Sequence, residues 1–390
     1  MIPRSDEYLG EYVPPCAERL AFISGFTGSA GLAIVLSTRA AVFSDGRYTL
    51  QLEQETDASA WERRHIIEDK PETWLAQAAP GGRIGYDPWT ISAEALGRFT
   101  GVEMVPLSPN LIDAIWADRP APPLAPAHPY PEALAGESSA AKRHRLGAAL
   151  KAAGQDSAVL SDGASLAWLF NIRGTDLEFC PFALGYALLH KDGTAGLFMA
   201  PEKITPELRA HLGPQVFIAA PEALPGAIAT LEGRVVRYDP ASQPAWFEAA
   251  LKEARAVIAP GPDPVALPRA QKNAAEQAGA RAAHLRDGVA MVEFLTWAAE
   301  ALPRGKETEM SAASRLLACR AAQDKFRGES FPAISGAGEN GAIIHYRVDE
   351  ASNRAIKPDE VYLIDSGGQY LDGTTDTVSY THLRAHETVL

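Results

Sequence analysis

Cysteine is scarce in this chain. Three residues, Cys16, Cys180 and Cys319, stand far apart in 390 positions. They form no zinc or redox spacing and no dense disulfide pattern. A zinc module, a thiol-redox centre and a disulfide-stapled scaffold are thereby excluded, and the thiols are expected to be reduced in a cytoplasmic protein. Long apolar runs are also missing: none approaches the roughly 18 residues of a membrane span. Residues 1–13 lack the apolar stretch of a signal peptide. Positive charge is in deficit, with 36 Lys and Arg against 49 Asp and Glu for a net charge of −13. No basic field exists to recruit phosphates, so no nucleic-acid partner is expected. No P-loop spacing is present. Gly336, Gly338 and Gly341 match the letters of G-x-G-x-x-G, but they are followed by the apolar run "AIIHYRV", read as a strand rather than as the opening of a helix, so the usual nucleotide cradles are not expected.

What is present is an ordinary globular composition, long enough for two or three domains. A faint repeat runs through the first part. "LAFISGFTG" (20–28) is echoed by "LAWLFNIRG" (166–174), and each precedes an apolar strand pair, 31–43 and 185–198. Asp192-Gly193 marks the tip of the second pair as a hairpin turn. "RIGYDP" (83–88) is echoed by "RVVRYDP" (234–240). Three echoes in one order predict two similar α/β domains in tandem. The Pro/Ala-rich stretch 118–133 separates them, because helices and strands do not tolerate such a run. The boundaries expected are 1–130 and 131–266. Domain one has no counterpart to the helix that opens domain two, so its start is expected to be clipped.

A second linker, 259–272, introduces a different texture. A long helix follows, with Leu285, Val289, Val292 and Ala299 on one apolar face. A second helix spans "TEMSAASRLLACRAAQ", and then come the strands "FPAISG", "GAIIHYRV", "VYLIDSG" and "YLDGTTD". Helix-helix-strand-strand order predicts an α+β domain with an antiparallel sheet over 267–376.

Two acids in that domain stand out. Asp365 ends an apolar strand and Asp376 ends "GTTD" after a Gly-rich turn. If the segments pair about a centre between Tyr370 and Leu371, the acids face each other with Cβ atoms about 5 Å apart. Carboxylates that close do not both ionise without a cation. Oxygen ligands of this kind suit Mn, Mg or Ca, with Zn or Co as alternatives. The same spacing also describes two acids flanking the turn of an exposed hairpin. His345, read inside the strand "GAIIHYRV", fits either a catalytic residue or a hydrogen-bonded core histidine.

"FPAISGAGENGAIIHY" (331–346) followed by "VYLIDSGGQYLDGTTD" (361–376) resembles the Xaa-Pro aminopeptidase (aminopeptidase P) branch of the pita-bread metallopeptidases, family M24. "EYVPPCAERLAFISGFTGSAG", "FSDGRYTLQ", "LAWLFNIRGTD" and "KNAAEQAGARAAHLRDGVA" resemble it in the same order. The resemblance implies two tandem creatinase-like α/β N-terminal domains followed by a pita-bread catalytic domain, truncated here. It implies release of the N-terminal residue from peptides with proline second. Two divalent metal ions, commonly Mn2+ with Zn2+ or Co2+ as alternatives, would be held by two Asp, one His and two Glu. Asp365 and Asp376 match the Asp pair. His345 matches the histidine beside the metals that binds substrate and assists the transition state. Arg47, in the family-like "SDGRY", is a candidate substrate contact, although an Arg–carboxylate pair at a strand-end turn serves the same residues. A homodimer is implied, and no membrane partner.

Past Asp376 the resemblance stops. The family continues with a variant of Ile/Val-Thr-Arg-Thr, whereas this chain reads "TVSYTHLRAHETVL". The remaining His and both Glu ligands are absent. His382 and His386 lie four apart with Glu387 after them, which is not the H-E-x-x-H arrangement. They follow Asp376 so closely that no further strand and helix are expected of them. Residues 377–390 are therefore expected to be a foreign tail, and the chain to be inactive and prone to aggregate through an uncovered sheet edge. Two alternatives stand beside this reading. A prolidase or creatinase relative would usually carry one N-terminal domain rather than two. A non-catalytic pita-bread protein binding peptides or partners would have lost its ligands by substitution.

Overall fold

The computed structural model describes residues 1–382. The chain divides into two compact units that meet at Lys272 and Asn273.

In the first unit the sequence echoes become structural ones. The helix Arg19–Ser24 stops at Gly25, φ 81°, and the helix Gly163–Leu169 stops just before Asn171, φ 49°. Gly25 and Asn171 occupy the same place in the two echoes. Both are in the left-handed region, which Gly and then Asn enter most readily. Strands β1 (Ile2–Pro3), β2 (Leu32–Val35), β3 (Ala40–Ser44) and β4 (Glu62–His65) form one sheet in that order, and β5 (Arg83–Tyr86) pairs in parallel with β6 (Glu103–Pro106). After β7 (His128–Pro129), the second lobe holds β8 (Ser157–Leu160), β9 (Ile172–Arg173), β10 (Tyr186–His190), β11 (Ala195–Phe198), β12 (Val216–Ala219), β13 (Val235–Tyr238) and β14 (Val257–Pro260). Its sheet runs β12-β11-β10-β8-β13-β14. Each lobe thus repeats an antiparallel hairpin, a parallel strand beside it and a parallel pair. At the tip between β10 and β11, Gly193 has φ 85° and Asp192 Oδ1 accepts from Thr194 N at 2.9 Å.

The two lobes expected to be separate share one compact unit, because aromatic rings seal them. Trp89 stacks on Trp246 at 4.1 Å and Tyr8 on Tyr186 at 4.9 Å. The linkers are also more ordered than their proline content implies. Stretch 118–133 contains β7, which pairs with β9, and stretch 259–272 contains the helix Ala266–Ala270. A two-residue edge strand can include Pro129, since edge positions do not all need an N–H donor.

The second unit starts with a reciprocal cap. Asn273 Oδ1 accepts from Glu276 N at 3.0 Å, and Glu276 Oε2 accepts from Asn273 N at 2.9 Å, opening the helix Ala274–Ala301. This is the capping-box arrangement, and Thr308 with Ser311 repeats it for the helix Glu309–Ala321. The strands are β15 (Phe326–Glu329), β16 (Ile334–Ala337), β17 (Val361–Ser366), β18 (Gly368–Tyr370), β19 (Gly373–Thr374) and β20 (Thr377–His382). They form two antiparallel sheets, β15-β18-β19 and β16-β17-β20. Phe294, Ala298, Leu316, Tyr362 and Ile364 lie in the core between helices and sheet.

Three expectations fail in this unit. The long helix buries Ala283, Asp287, Ala290, Met291, Phe294 and Ala298, whereas Leu285 (74 %), Val289 (51 %), Val292 (64 %) and Ala299 are exposed. Close approach decided this: a methyl at Gly279 would overlap the Asp372 carbonyl oxygen, and one at Gly373 would lie 2.8 Å from Ala283 Cβ. The small-residue face admits the hairpin and the larger aliphatic face does not. "GAIIHYRV" is not a strand either. It is the 3-10 turn Gly338–Ala342 followed by a bend in which Ile344 is exposed and His345 has φ 56°. Finally, Thr377–His382 does fold back, as β20 against the whole of β17. His386 and Glu387 lie outside the described residues. Among the described residues no helix is long and apolar enough to cross a membrane.

Candidate metal centre

Asp365 stands in β17 between two partners, Ile334 of β16 and Val378 of β20. Asp376 immediately precedes β20. Because Asp365 faces Val378, Asp376 lies two residues along on the neighbouring chain. It is a diagonal neighbour rather than the directly opposed one expected. The hairpin closes at Leu371–Asp372, since Tyr370 pairs with Gly373, so the register differs from expectation by two residues. Side chains alternate with period two, and a shift of two keeps both acids on one face. Diagonal positions stand about 7–8 Å apart at the backbone.

The electrostatics agree with proximity. Burial is the main cause that raises the pKa of Asp365, the neighbouring Asp376 raises it further, and His345 opposes both. Asp365 Oδ1 is buried and accepts no hydrogen bond. A desolvated carboxylate oxygen without a donor, beside a second carboxylate, is a local deficit of positive charge. A hard divalent cation fits that deficit, as carboxylate oxygens are its preferred ligands. Among the described residues no group of three or more His, Cys, Asp and Glu could hold a metal ion. Asp376 and His345 both lie within electrostatic range of Asp365.

The hairpin carrying Asp376 is tethered to the helices by buried charge. Asp287 receives Arg320 through both oxygens, at 2.8 and 3.2 Å, and Tyr370 donates to Asp287 Oδ1 at 3.0 Å. At the turn, Asp372 accepts from Arg286 and from Lys325 Nζ at 2.8 Å. Gly367 leaves no room for a side chain, because a methyl there would overlap Ser330 Oγ and the Thr375 carbonyl. Sequence reasoning missed this tether. The available signal was Asp287, a lone acid on a helix face otherwise filled by Ala, Met and Phe.

Arg47 lies in the first unit, in the turn after β3. Its guanidinium grips Asp45 at 2.9 and 2.7 Å and sits 5.1 Å from the Tyr48 ring. Asp176 of the "IRGTD" stretch is occupied as well, accepting from Lys203 Nζ at 2.5 Å and Leu184 N at 2.6 Å.

Comparison with known proteins supplies the context. Residues 12–115 and 118–276 each match a model of the creatinase/prolidase N-terminal domain, and residues 278–388 match metallopeptidase family M24. That last match includes most of the segment read as a foreign tail. A curated relative from Aspergillus clavatus, named "Probable Xaa-Pro aminopeptidase P", is 37% identical over 98% of this chain and 61% of its own length. One of the same name from Aspergillus niger is 35% identical, over 98% and 65%. The chain thus spans somewhat over three fifths of these relatives. Among solved structures, the X-prolyl aminopeptidase of Caenorhabditis elegans, described as a cytosolic enzyme with a di-nuclear active site, superposes with a TM-score of 0.93 at 29% identity. It covers 99% of this chain and 66% of that one.

Proposed function

Because this chain belongs to metallopeptidase family M24, with two creatinase/prolidase-type N-terminal domains ahead of the peptidase part, we propose that Asp365 and Asp376 are the opening ligands of a two-metal Xaa-Pro aminopeptidase centre. The observation that carries this reading is the buried, unpartnered Oδ1 of Asp365, raised in pKa by burial and by Asp376. The substrates would be peptides with proline second, the metal Mn2+ before Zn2+ or Co2+, and the setting cytoplasmic.

Two divalent ions, when bound, would supply an acidified water and offset negative charge developing on the carbonyl before proline. Asp365, half-buried on the central strand, and Asp376, exposed just before β20, would hold the ions through their carboxylate oxygens. His345 stands outside the ligand set yet close to Asp365, the place for a donor to the substrate carbonyl oxygen. A bond to proline has no N–H, so recognition must rest on the ring and the carbonyl rather than on an amide donor.

With two acids and no third ligand among the described residues, this chain is expected to bind Mn2+ weakly and to hydrolyse Xaa-Pro peptides undetectably. Calorimetric titration with Mn2+ tests the first part. Wild type should bind with a dissociation constant on the order of 10⁻⁴–10⁻³ M, the weak end of the range that oxygen-ligand Ca2+ sites cover, and Asp365→Asn should abolish binding. Equal binding by both proteins sinks the assignment. Cleavage of Arg-Pro-Pro by the purified chain would overturn the expected inactivity.

A further inference from the structure

The loop that carries His345 hangs on one buried acid. Glu309, the first residue of the helix Glu309–Ala321, is fully buried, yet no Arg, Lys or His pairs with it among the described residues. Its two carboxyl oxygens instead accept from four groups of the segment 337–354. Oε1 accepts from Ala337 N at 2.7 Å and Asn340 Nδ2 at 3.0 Å; Oε2 accepts from Tyr346 OH at 3.0 Å and Arg354 N at 3.3 Å. Asn340 Nδ2 also donates to Tyr346 OH at 2.9 Å, tying the loop across itself. The Tyr346 hydroxyl has its pKa pushed up to about 12, by burial first, so it stays a donor at any ordinary pH. The helix N-terminus adds a favourable field for the negative charge, and charge-assisted bonds of this kind are the stronger class.

These donors bracket His345. Ala337 and Asn340 precede it, Tyr346 is its immediate neighbour and Arg354 follows. Between them the backbone of His345 takes φ 56°, a conformation a non-glycine residue holds only when its surroundings over-determine it. We propose that Glu309 is a positioning residue: by gathering these donors it holds His345 in its left-handed turn, with the ring in range of Asp365. The role of His345 rests on the function proposed above, but the positioning of its backbone does not.

The test uses the full 390-residue chain, isotope-labelled, with Glu309→Gln as the variant. Glutamine keeps the shape, but its amide nitrogen cannot accept the donors of one oxygen. Two readouts separate the questions. Amide–Cα cross-correlated relaxation at His345 reports the sign of φ without metal. It should be positive in wild type and negative or averaged in E309Q. Mn2+ alone then serves as a relaxation probe. In wild type it should broaden the amides of Ser366 and Thr377 and the His345 ring together. In E309Q the amides should broaden as before, while the ring keeps at least twice its wild-type intensity. A change in melting temperature alone, with φ and ring broadening unchanged, would mean that Glu309 merely stabilises the fold, and would overturn the proposal. If Mn2+ broadens nothing in wild type, the metal assignment fails, and the sign of φ in E309Q still decides the positioning. Should E309Q not fold, Tyr346→Phe, which removes one donor and leaves the carboxyl in place, is read in the same way. A positive, unaveraged φ and unchanged ring broadening in folded Y346F would refute it.

Discussion

Arg320→Met isolates the tether that holds the hairpin under the candidate centre. Arg320 is 1% exposed and Asp287 is 3% exposed, and the guanidinium meets the carboxylate through two bonds of 2.8 and 3.2 Å. Methionine keeps much of the aliphatic stem, so packing beside Met291 is largely conserved. What is lost is the counter-charge. Removing one partner of a buried pair typically costs about 3–5 kcal/mol, because the other charge stays desolvated. Among the described residues, Tyr370 OH would then be the donor left on Asp287. Replacing both partners, Asp287→Leu with Arg320→Met, removes the stranded charge. The residual cost should be about 1–2 kcal/mol, that of a buried tyrosine hydroxyl without its acceptor. Hydrogen exchange read by mass spectrometry on peptides from the second unit measures both, since exchange of core amides reports the opening free energy locally. The single variant should lose roughly twice as much protection energy as the double, or more. A double variant as damaged as the single would refute the reasoning, as the loss would then lie in packing rather than in an unpaired charge.

Two glycines of one helix should respond oppositely to alanine. Gly288→Ala meets nothing within 4 Å and should stabilise by about 0.5–1 kcal/mol through helix propensity. Gly279→Ala drives a methyl onto the Asp372 carbonyl and should destabilise by about 1–3 kcal/mol; denaturant melts compare them directly. Asp6 gives a pH signature in the first unit. It is fully buried, its pKa is raised to about 6 by burial, and its Oδ2 has no partner. A folded value above the unfolded one, about 3.9, means that the folded state binds the extra proton. Stability therefore falls as pH rises from about 4 through 6, by about 3 kcal/mol, and is flat above. Asp6→Asn, whose Oδ1 can still accept from Tyr8 and Gly10, should abolish that slope in urea melts at pH 4 to 7.5. A wild-type-minus-variant difference that does not change with pH would contradict the assignment.

The hairpin of the candidate centre was legible before any fold. The hairpin Asp365 to Asp376 follows from apolar alternation and a Gly-rich turn, and period-two alternation preserved its outcome although the register was off by two. The lobed first unit was legible for a similar local reason. A helix stop needs Gly or Asn, a tight hairpin needs Asp-Gly, and both leave marks in the chain that recur in order.

Other features left no such marks. Leu285, Val289 and Val292 make a convincing apolar face, yet the helix buries its Ala and Gly face, because backbone-to-backbone approach against the Asp372 turn is a property of two distant segments together. His345 sits among apolar residues that read as strand, yet they form a turn, closed locally by Tyr346 N on the Ile343 carbonyl and flanked by the donors that Glu309, far back in sequence, gathers. Local chemistry, then, was determined by the sequence: which residues stop helices, turn hairpins and offer oxygen ligands. Which faces are buried, which charges are paired and where His345 stands were decided by tertiary structure, because each depends on the distance between groups that the chain order does not bring together.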